Sequence, residues 1–234
     1  MYLQLTTRCN YTCAHCCFAC GKAGEDMPRE TFAAAIQIAQ DHGEYITLGG
    51  GEPTLHREFS DFLDFALRKE WEIRPLVVTN GTNRRVALKL ARMAQEGAIS
   101  AALSRSRWHR EQRLQPAPEV VEAFTPPPRP FGLGYGVIRS DLREIRVTPE
   151  HQIAAIGRAA DWGDDNQCCC DNLFVTPDGR LWSCGHRDES FGTVHDPRIP
   201  NEYWQRDTHC SRFKADADDD AMAEDDDEDL CEAA

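Results

Sequence analysis

The sequence predicts an α/β fold: five or six strand–helix units forming a partial, open (β/α)5-6 barrel. Three observations carry that expectation. Short β-branched or aromatic runs alternate with segments whose apolar residues recur every three or four positions. One of the strands feeds straight into a glycine turn, Gly49-Gly50-Gly51-Glu52-Pro53, and parallel barrels carry their working residues on such loops after the strands. The units fit within residues 1–165, and an eight-stranded barrel closes only above about 200 residues.

Taken in order, residues 1–7 read as a strand that delivers a cysteine-rich loop. Met27-Pro28-Arg29-Glu30 opens a helix whose apolar residues Phe32, Ala35, Ile36 and Ala39 keep helical spacing, and Gly43 ends it. Residues 45–48 form the next strand. Phe59, Phe62, Leu63 and Ala66 mark a second helix, 73–78 a third strand and Thr79-Asn80-Gly81-Thr82 the loop after it. A helix over 83–96 leads to a strand over 99–104. The basic stretch 105–110 reads either as a substrate-facing loop for an acidic or phosphate-bearing group or as a solvated loop. A short helix around 119–124 precedes a stiff polyproline connector, 125–130. Gly132-Leu133-Gly134-Tyr135-Gly136 lacks the spacing of a dinucleotide fingerprint. A strand over 143–147 and a helix from Pro149 to about Trp162 complete the barrel region.

Residues 166–214 form a small cysteine-rich extension. Two alternating runs joined by Pro177-Asp178-Gly179 predict a β-hairpin. Cysteines before its first strand and at the end of its second would meet at one edge. The formal net charge of −13 is concentrated in residues 215–234, whose eleven acidic side chains have no Lys or Arg among them. That stretch reads as a disordered acidic tail. The remaining body, at −2, argues against tight duplex binding, which rests on neutralising phosphates; a role with nucleic acid is thereby disfavoured but stays open. No apolar run approaches the ~20 residues that span a bilayer, and residues 1–7 lack the basic region of a signal peptide. Eleven cysteines without a secretion route suggest a reducing cytoplasm and metal ligation instead of disulfides.

Cys9, Cys13 and Cys16 lie at C-x3-C-x2-C spacing on one loop. Thiolates are soft ligands suited to iron–sulfur clusters, zinc or Cu(I). Three of them on a four-iron cubane leave one iron without a protein ligand, whereas a ferredoxin run supplies a fourth cysteine. Cys17 and Cys20 keep that closed alternative open. A zinc knuckle would want four N or S ligands in two C-x2-C-like pairs, and His15 between two cysteines has the wrong spacing for that.

The triad, with His15 just before its last cysteine, resembles the signature of the radical SAM superfamily. Gly50-Gly51-Glu52-Pro53, some thirty-five residues on, is similar to that family's second motif. The resemblance implies a [4Fe-4S] cluster on Cys9, Cys13 and Cys16 whose open iron is chelated by S-adenosylmethionine (SAM). An electron from the cluster would cleave the sulfonium, and a 5′-deoxyadenosyl radical would abstract hydrogen from a substrate. It also implies that His15, Gly50, Gly51, Glu52, Pro53, Asn80 and Ser104 lie at the SAM site, and that a flavodoxin or ferredoxin supplies electrons.

Further on, Cys169, nine residues, Gly179, four residues and Cys184 resemble the opening half of the SPASM and twitch extensions, as does the later Phe191-Gly192-Thr193-Val194. This implies an auxiliary iron–sulfur cluster, with Cys169, Cys184 and Cys210 the preferred ligands and Cys168 and Cys170 competing with Cys169. A structural zinc is the competing occupant. Three functions are compatible with these readings: a radical SAM enzyme acting on a peptide or protein side chain, one acting on a nucleoside or nucleic-acid base, and a non-catalytic zinc-binding interaction protein.

Overall fold

The computed structural model describes residues 1–125, 140–143, 155–163 and 173–205. Its strands are β1 (Tyr2–Gln4), β2 (Thr47–Gly49), β3 (Leu76–Thr79), β4 (Ser100–Ser104), β5 (Ser140–Arg143), β6 (Phe174–Val175), β7 (Arg180–Trp182), β8 (Ser190–Thr193) and β9 (Asp196–Pro197). They form one sheet in the order β5-β4-β3-β2-β1-β6-β7-β8-β9. Pairing is parallel from β5 through β6 and antiparallel from β6 to β9. Each strand from β2 to β5 adds to the same side of its predecessor, the winding of a barrel, and the sheet stays open between its β5 and β9 edges.

The helices are α1 (Arg29–Asp41), α2 (Phe59–Leu67), α3 (Arg84–Gln95), the single turn α4 (Arg107–Arg110) and α5 (Pro118–Phe124). In α1 the spacing does what it predicts. Phe32, Ala35, Ile36 and Ala39 are buried, and Phe32 stacks on Phe62 of α2 with ring centroids 4.2 Å apart. Burying such a side chain contributes roughly 1.5–3 kcal/mol. Beneath them lie Leu3, Leu48, Val77 and Leu103 from the parallel strands, with Ile46 just before β2. No helix among the described residues is long and apolar enough to cross a membrane.

The hairpin at Pro177-Asp178-Gly179 is present, with Phe174 opposite Trp182 and Val175 opposite Leu181. It continues the main sheet, because β6 pairs with β1, and Val175, Leu181, Phe191 and Tyr203 share the same core as Leu3.

A strand is present at Ser140–Arg143; of the strand expected at 143–147, Arg143 lies in it and 144–147 fall outside the described residues. One sequence expectation needs correction. The helix expected to run to Trp162 is, over 155–163, only a 3-10 turn at Gly157–Ala159. Gly157 has φ +60°, and a Cβ there would run into the backbone carbonyls of Cys16 and Cys17. The helix is given up so that this backbone can lie on the cysteine loop. The polyproline connector, Gly132–Gly136, Cys168, Cys169, Cys170, Cys210 and the acidic tail are outside the described residues.

Candidate functional site

The loops following β1, β2, β3 and β4 leave the same end of the parallel strands and are joined by hydrogen bonds, the loop after β4 through Thr12 N–H donating to Gln112 Oε1 at 3.0 Å. The first junction is a backbone zip between residues 5–8 and 49–52. Leu5 N–H donates to Gly49 O (2.9 Å), Gly51 N–H to Thr6 O (2.7 Å) and Glu52 N–H to Arg8 O (2.8 Å). This approach explains the glycines more directly than ligand access does: a Cβ on Gly51 would strike the Arg8 carbonyl and lie 2.9 Å from Cys9 Cβ. Gly50 N–H donates to the Tyr2 hydroxyl at 3.0 Å. The carbonyls of Gly50 and Gly51 accept no hydrogen bond among the described residues, so they suit a ligand ammonium.

Beyond the zip, Cys9 and Cys13 are buried and Cys16 is half-buried, all as free thiols. Cys9 N–H donates to Gly21 O at 2.6 Å and Cys16 N–H to Cys13 O at 3.2 Å. Arg158 holds the loop from the far side: its N–H reaches Cys16 O at 3.0 Å and its Nη1 reaches Cys13 O at 2.7 Å. Burial pushes the Cys9 thiol up to about 11 and the Cys13 thiol to about 12. A hydrogen bond from Cys20 pulls Cys16 down to about 6, and the same contact raises Cys20. Without metal, two of the three thiols are therefore neutral, and binding must expel their protons.

Glu52 is turned inward. Its carboxylate is 1% exposed and accepts from Thr54 Oγ1 (2.6 Å), Thr79 Oγ1 (2.7 Å) and Asn80 N–H (2.7 Å). Burial pushes this carboxyl up, opposed by the same hydrogen bonds. Pro53 starts a 3-10 turn, Pro53–Leu55. Asn80 Nδ2 donates to Asn10 Oδ1 at 2.8 Å, Asn80 Oδ1 accepts from Thr82 Oγ1 at 2.7 Å, and Asn10 Nδ2 donates to Thr82 Oγ1 at 2.7 Å. This closed ring ties the cysteine loop to the loop after β3. Asn10 and Thr82 were not among the expected site residues, although Asn10 follows the first cysteine directly.

His15 stacks on Trp108, with centroids 5.9 Å apart, and meets His109 edge-on at 5.0 Å. His109 bonds Ser106 Oγ through Nδ1 at 2.7 Å. Burial pushes both imidazoles down to about 4, helped at His15 by His109 and Arg158. The stretch 105–110 is thus partly a cover on the cysteine loop. His15 Nδ1, Arg105 Nε and Trp108 Nε1 are buried without a partner among the described residues, three polar atoms that a bound ligand would satisfy. Ser104, at the end of β4, is half-buried. Cys184 emerges at the other end of the sheet: β7 runs antiparallel to β6, so its last residues lie beside the start of β1. Cys169 and Cys210 lie outside the described residues.

Among the described residues no three His, Cys, Asp or Glu side chains converge on a single ion. A cubane makes a different demand, since each thiolate ligates its own iron. Three soft thiols on one braced loop, beside unpaired glycine carbonyls and unpaired buried polar atoms, fit such a cluster with SAM alongside.

Residues 3–104 match the family profile described as the radical SAM superfamily. That stretch is what the chain shares with the radical SAM superfamily. The chain is 33% identical to the mycofactocin maturase MftC of Mycobacterium ulcerans over 92 residues, 38% of this chain and 24% of that protein. It is 30% identical over 82 residues to an S-adenosylmethionine-dependent nucleotide dehydratase of Selenomonas ruminantium, 34% of this chain and 29% of that one. It therefore spans 24% and 29% of the length of these two relatives. Its fold resembles the crystal structure of BtrN in complex with AdoMet and 2-DOIA, with a TM-score of 0.57, 14% identity, and 92% and 83% of the two chains covered.

Proposed function

We propose that this chain is a radical SAM enzyme that cleaves SAM reductively at a [4Fe-4S] cluster on Cys9, Cys13 and Cys16 and abstracts hydrogen from a peptide or protein side chain. The observation that carries the reading is the zip that seats the Gly50-Gly51-Glu52 turn on residues 6–8, beside the first cysteine. When bound, the cluster supplies the electron for sulfonium cleavage. The protein's part is orientation and exclusion of water. Gly50 and Gly51 present carbonyls to an ammonium, Asn80 and Ser104 line the neighbouring strand ends, and the His15–Trp108 stack covers the loop with flat, uncharged rings.

The peptide reading is supported by the match to a maturase. A nucleoside or nucleotide substrate is the second reading, supported by the nucleotide dehydratase. A low-potential donor such as flavodoxin or ferredoxin in a reducing cytoplasm belongs to the same proposal. Anaerobic reconstitution with iron and sulfide, then dithionite and SAM, tests it: methionine and 5′-deoxyadenosine should form and require all three cysteines. Absence of both products from a protein carrying about four irons would overturn it. Stimulation of 5′-deoxyadenosine by a peptide pool supports the first substrate class, and stimulation by nucleotides alone supports the second.

A further inference from the structure

Asn80 is held at both of its ends. Its backbone N–H donates to Glu52 Oε2 at 2.7 Å, and the turn around it is drawn tight by Gly81 N–H, which donates to Thr79 Oγ1 at 3.1 Å. Its side chain belongs to the ring with Asn10 and Thr82, and the residue is 5% exposed.

The ring also has a fixed sense. An asparagine amide can turn over and exchange its oxygen for its nitrogen, so two amides and a hydroxyl could pass their donors round in either direction. The backbone of Thr82 decides which. Its N–H donates to Asn80 Oδ1 at 3.1 Å, and a backbone N–H cannot be reversed; with the amide turned over, two donors would face each other. Asn80 Oδ1 therefore takes the N–H and the hydroxyl of Thr82. Asn80 Nδ2 gives one hydrogen to Asn10 Oδ1, and Asn10 Nδ2 closes the circuit on Thr82 Oγ1. An amide oxygen offers two acceptor sites and its nitrogen two hydrogens. On Asn80 both acceptor sites are spent and one hydrogen is left, so the side chain has a single N–H to offer a ligand.

We propose that Asn10 and Thr82 are positioning residues that lock the Asn80 side chain as a hydrogen-bond donor, so that it selects an acceptor atom of SAM on the nucleoside or the carboxylate. The proposal rests on the SAM-binding reading above and goes beyond it, giving a task to two residues that neither the cysteine triad nor the glycine turn contains. A side chain already locked in its bound orientation has no rotamer freedom to lose when the ligand arrives. A plain staple between the two loops is the rival explanation. A staple affects stability and iron retention, whereas a lock affects the affinity for a ligand that can accept the N–H.

The test uses the full, iron-loaded chain and S-adenosylhomocysteine, which lacks the sulfonium and is not cleaved, with binding measured by calorimetry. Thr82→Ser keeps every bond of the ring and should bind within about twofold of wild type. Thr82→Val and Asn10→Ala should each weaken binding by about fivefold or more. Asn80→Asp, with no amide hydrogen to give, should weaken it at least as much. Unchanged affinity in Thr82→Val and Asn10→Ala, whatever their melting temperatures, would overturn the proposal and leave the ring a staple. Should Asn10→Ala lose its iron because it adjoins Cys9, Thr82→Val, on the other loop, decides alone. 5′-Methylthioadenosine keeps the nucleoside but lacks the carboxylate. A loss that persists with it puts the acceptor on the nucleoside, and a loss that vanishes puts it on the carboxylate. Wild-type protein that holds about four irons yet binds no S-adenosylhomocysteine would remove the SAM reading together with this one; wild-type binding with unmoved variants removes this one alone.

Discussion

The carboxylate of Glu52 accepts the backbone N–H of Asn80 at 2.7 Å, fastening the loop after β2 to the loop after β3. Because it also accepts from Thr54 and Thr79 while 1% exposed, it works first as an internal brace. Glu52→Ala leaves buried donors without an acceptor, at about 1–3 kcal/mol each. We expect a loss of about 3 kcal/mol or more, seen as a fall in melting temperature of roughly 6–12 °C. Glu52→Gln should also destabilise, since its amide brings a donor into a ring of donors.

Gly51 tests the zip. Alanine fits its backbone conformation but drives a methyl into the Arg8 carbonyl and against Cys9 Cβ. Overpacking of this kind costs about 1–3 kcal/mol, here concentrated on the first cysteine. Gly51→Ala should still fold yet retain less than half the wild-type iron after reconstitution, measured by metal analysis.

Arg158 reaches the cysteine loop from 145 residues away. Its guanidinium holds the Cys13 carbonyl while its own N–H holds that of Cys16, and its charge favours the thiolate forms. Arg158→Ala should lose iron to a chelator several times faster than wild type. Arg158→Lys should fall between, keeping the charge but losing the planar fork.

The Asp26 carboxyl gives a pH signature. Partial burial pushes it up, but hydrogen bonds from Thr6 and Arg8 outweigh that and hold it below its ordinary value, with Arg8 Nη2 2.7 Å from Oδ2. A depressed carboxylate contributes stability above its unfolded pKa and loses it as pH falls through its folded one. At neutral pH, Asp26→Asn should be less stable by up to about 1 kcal/mol, the range for a partly exposed pair. The gap should close below about pH 4, as followed by denaturant melts across pH.

Much of the site was legible because its signals are local. The spacing of Cys9, Cys13 and Cys16 and the glycine turn before Glu52 can each be read within eight residues, and helical periodicity located α1 to α3. Long-range pairing hid the rest. Nothing near Arg158 marks it as a clamp on Cys13, and the fold of 105–110 onto His15 comes from tertiary packing, so its string of cations read equally as a substrate-facing or a solvated loop. Glu52 was legible as important but not in its direction, because a carboxylate facing inward has the same sequence signature as one facing a ligand.

The central claim is that the three cysteines leave one iron for SAM, although Cys20, whose hydrogen bond pulls Cys16 down, is a rival thiol. The most direct measurement is electron–nuclear double resonance of the reduced, reconstituted protein with SAM labelled with nitrogen-15 at its amino group and oxygen-17 at its carboxylate. Hyperfine coupling to both labels, unchanged in Cys20→Ala, is the predicted result. No coupling in the wild type, with coupling gained only when Cys20 is removed, would show that Cys20 fills the fourth position and would contradict the account.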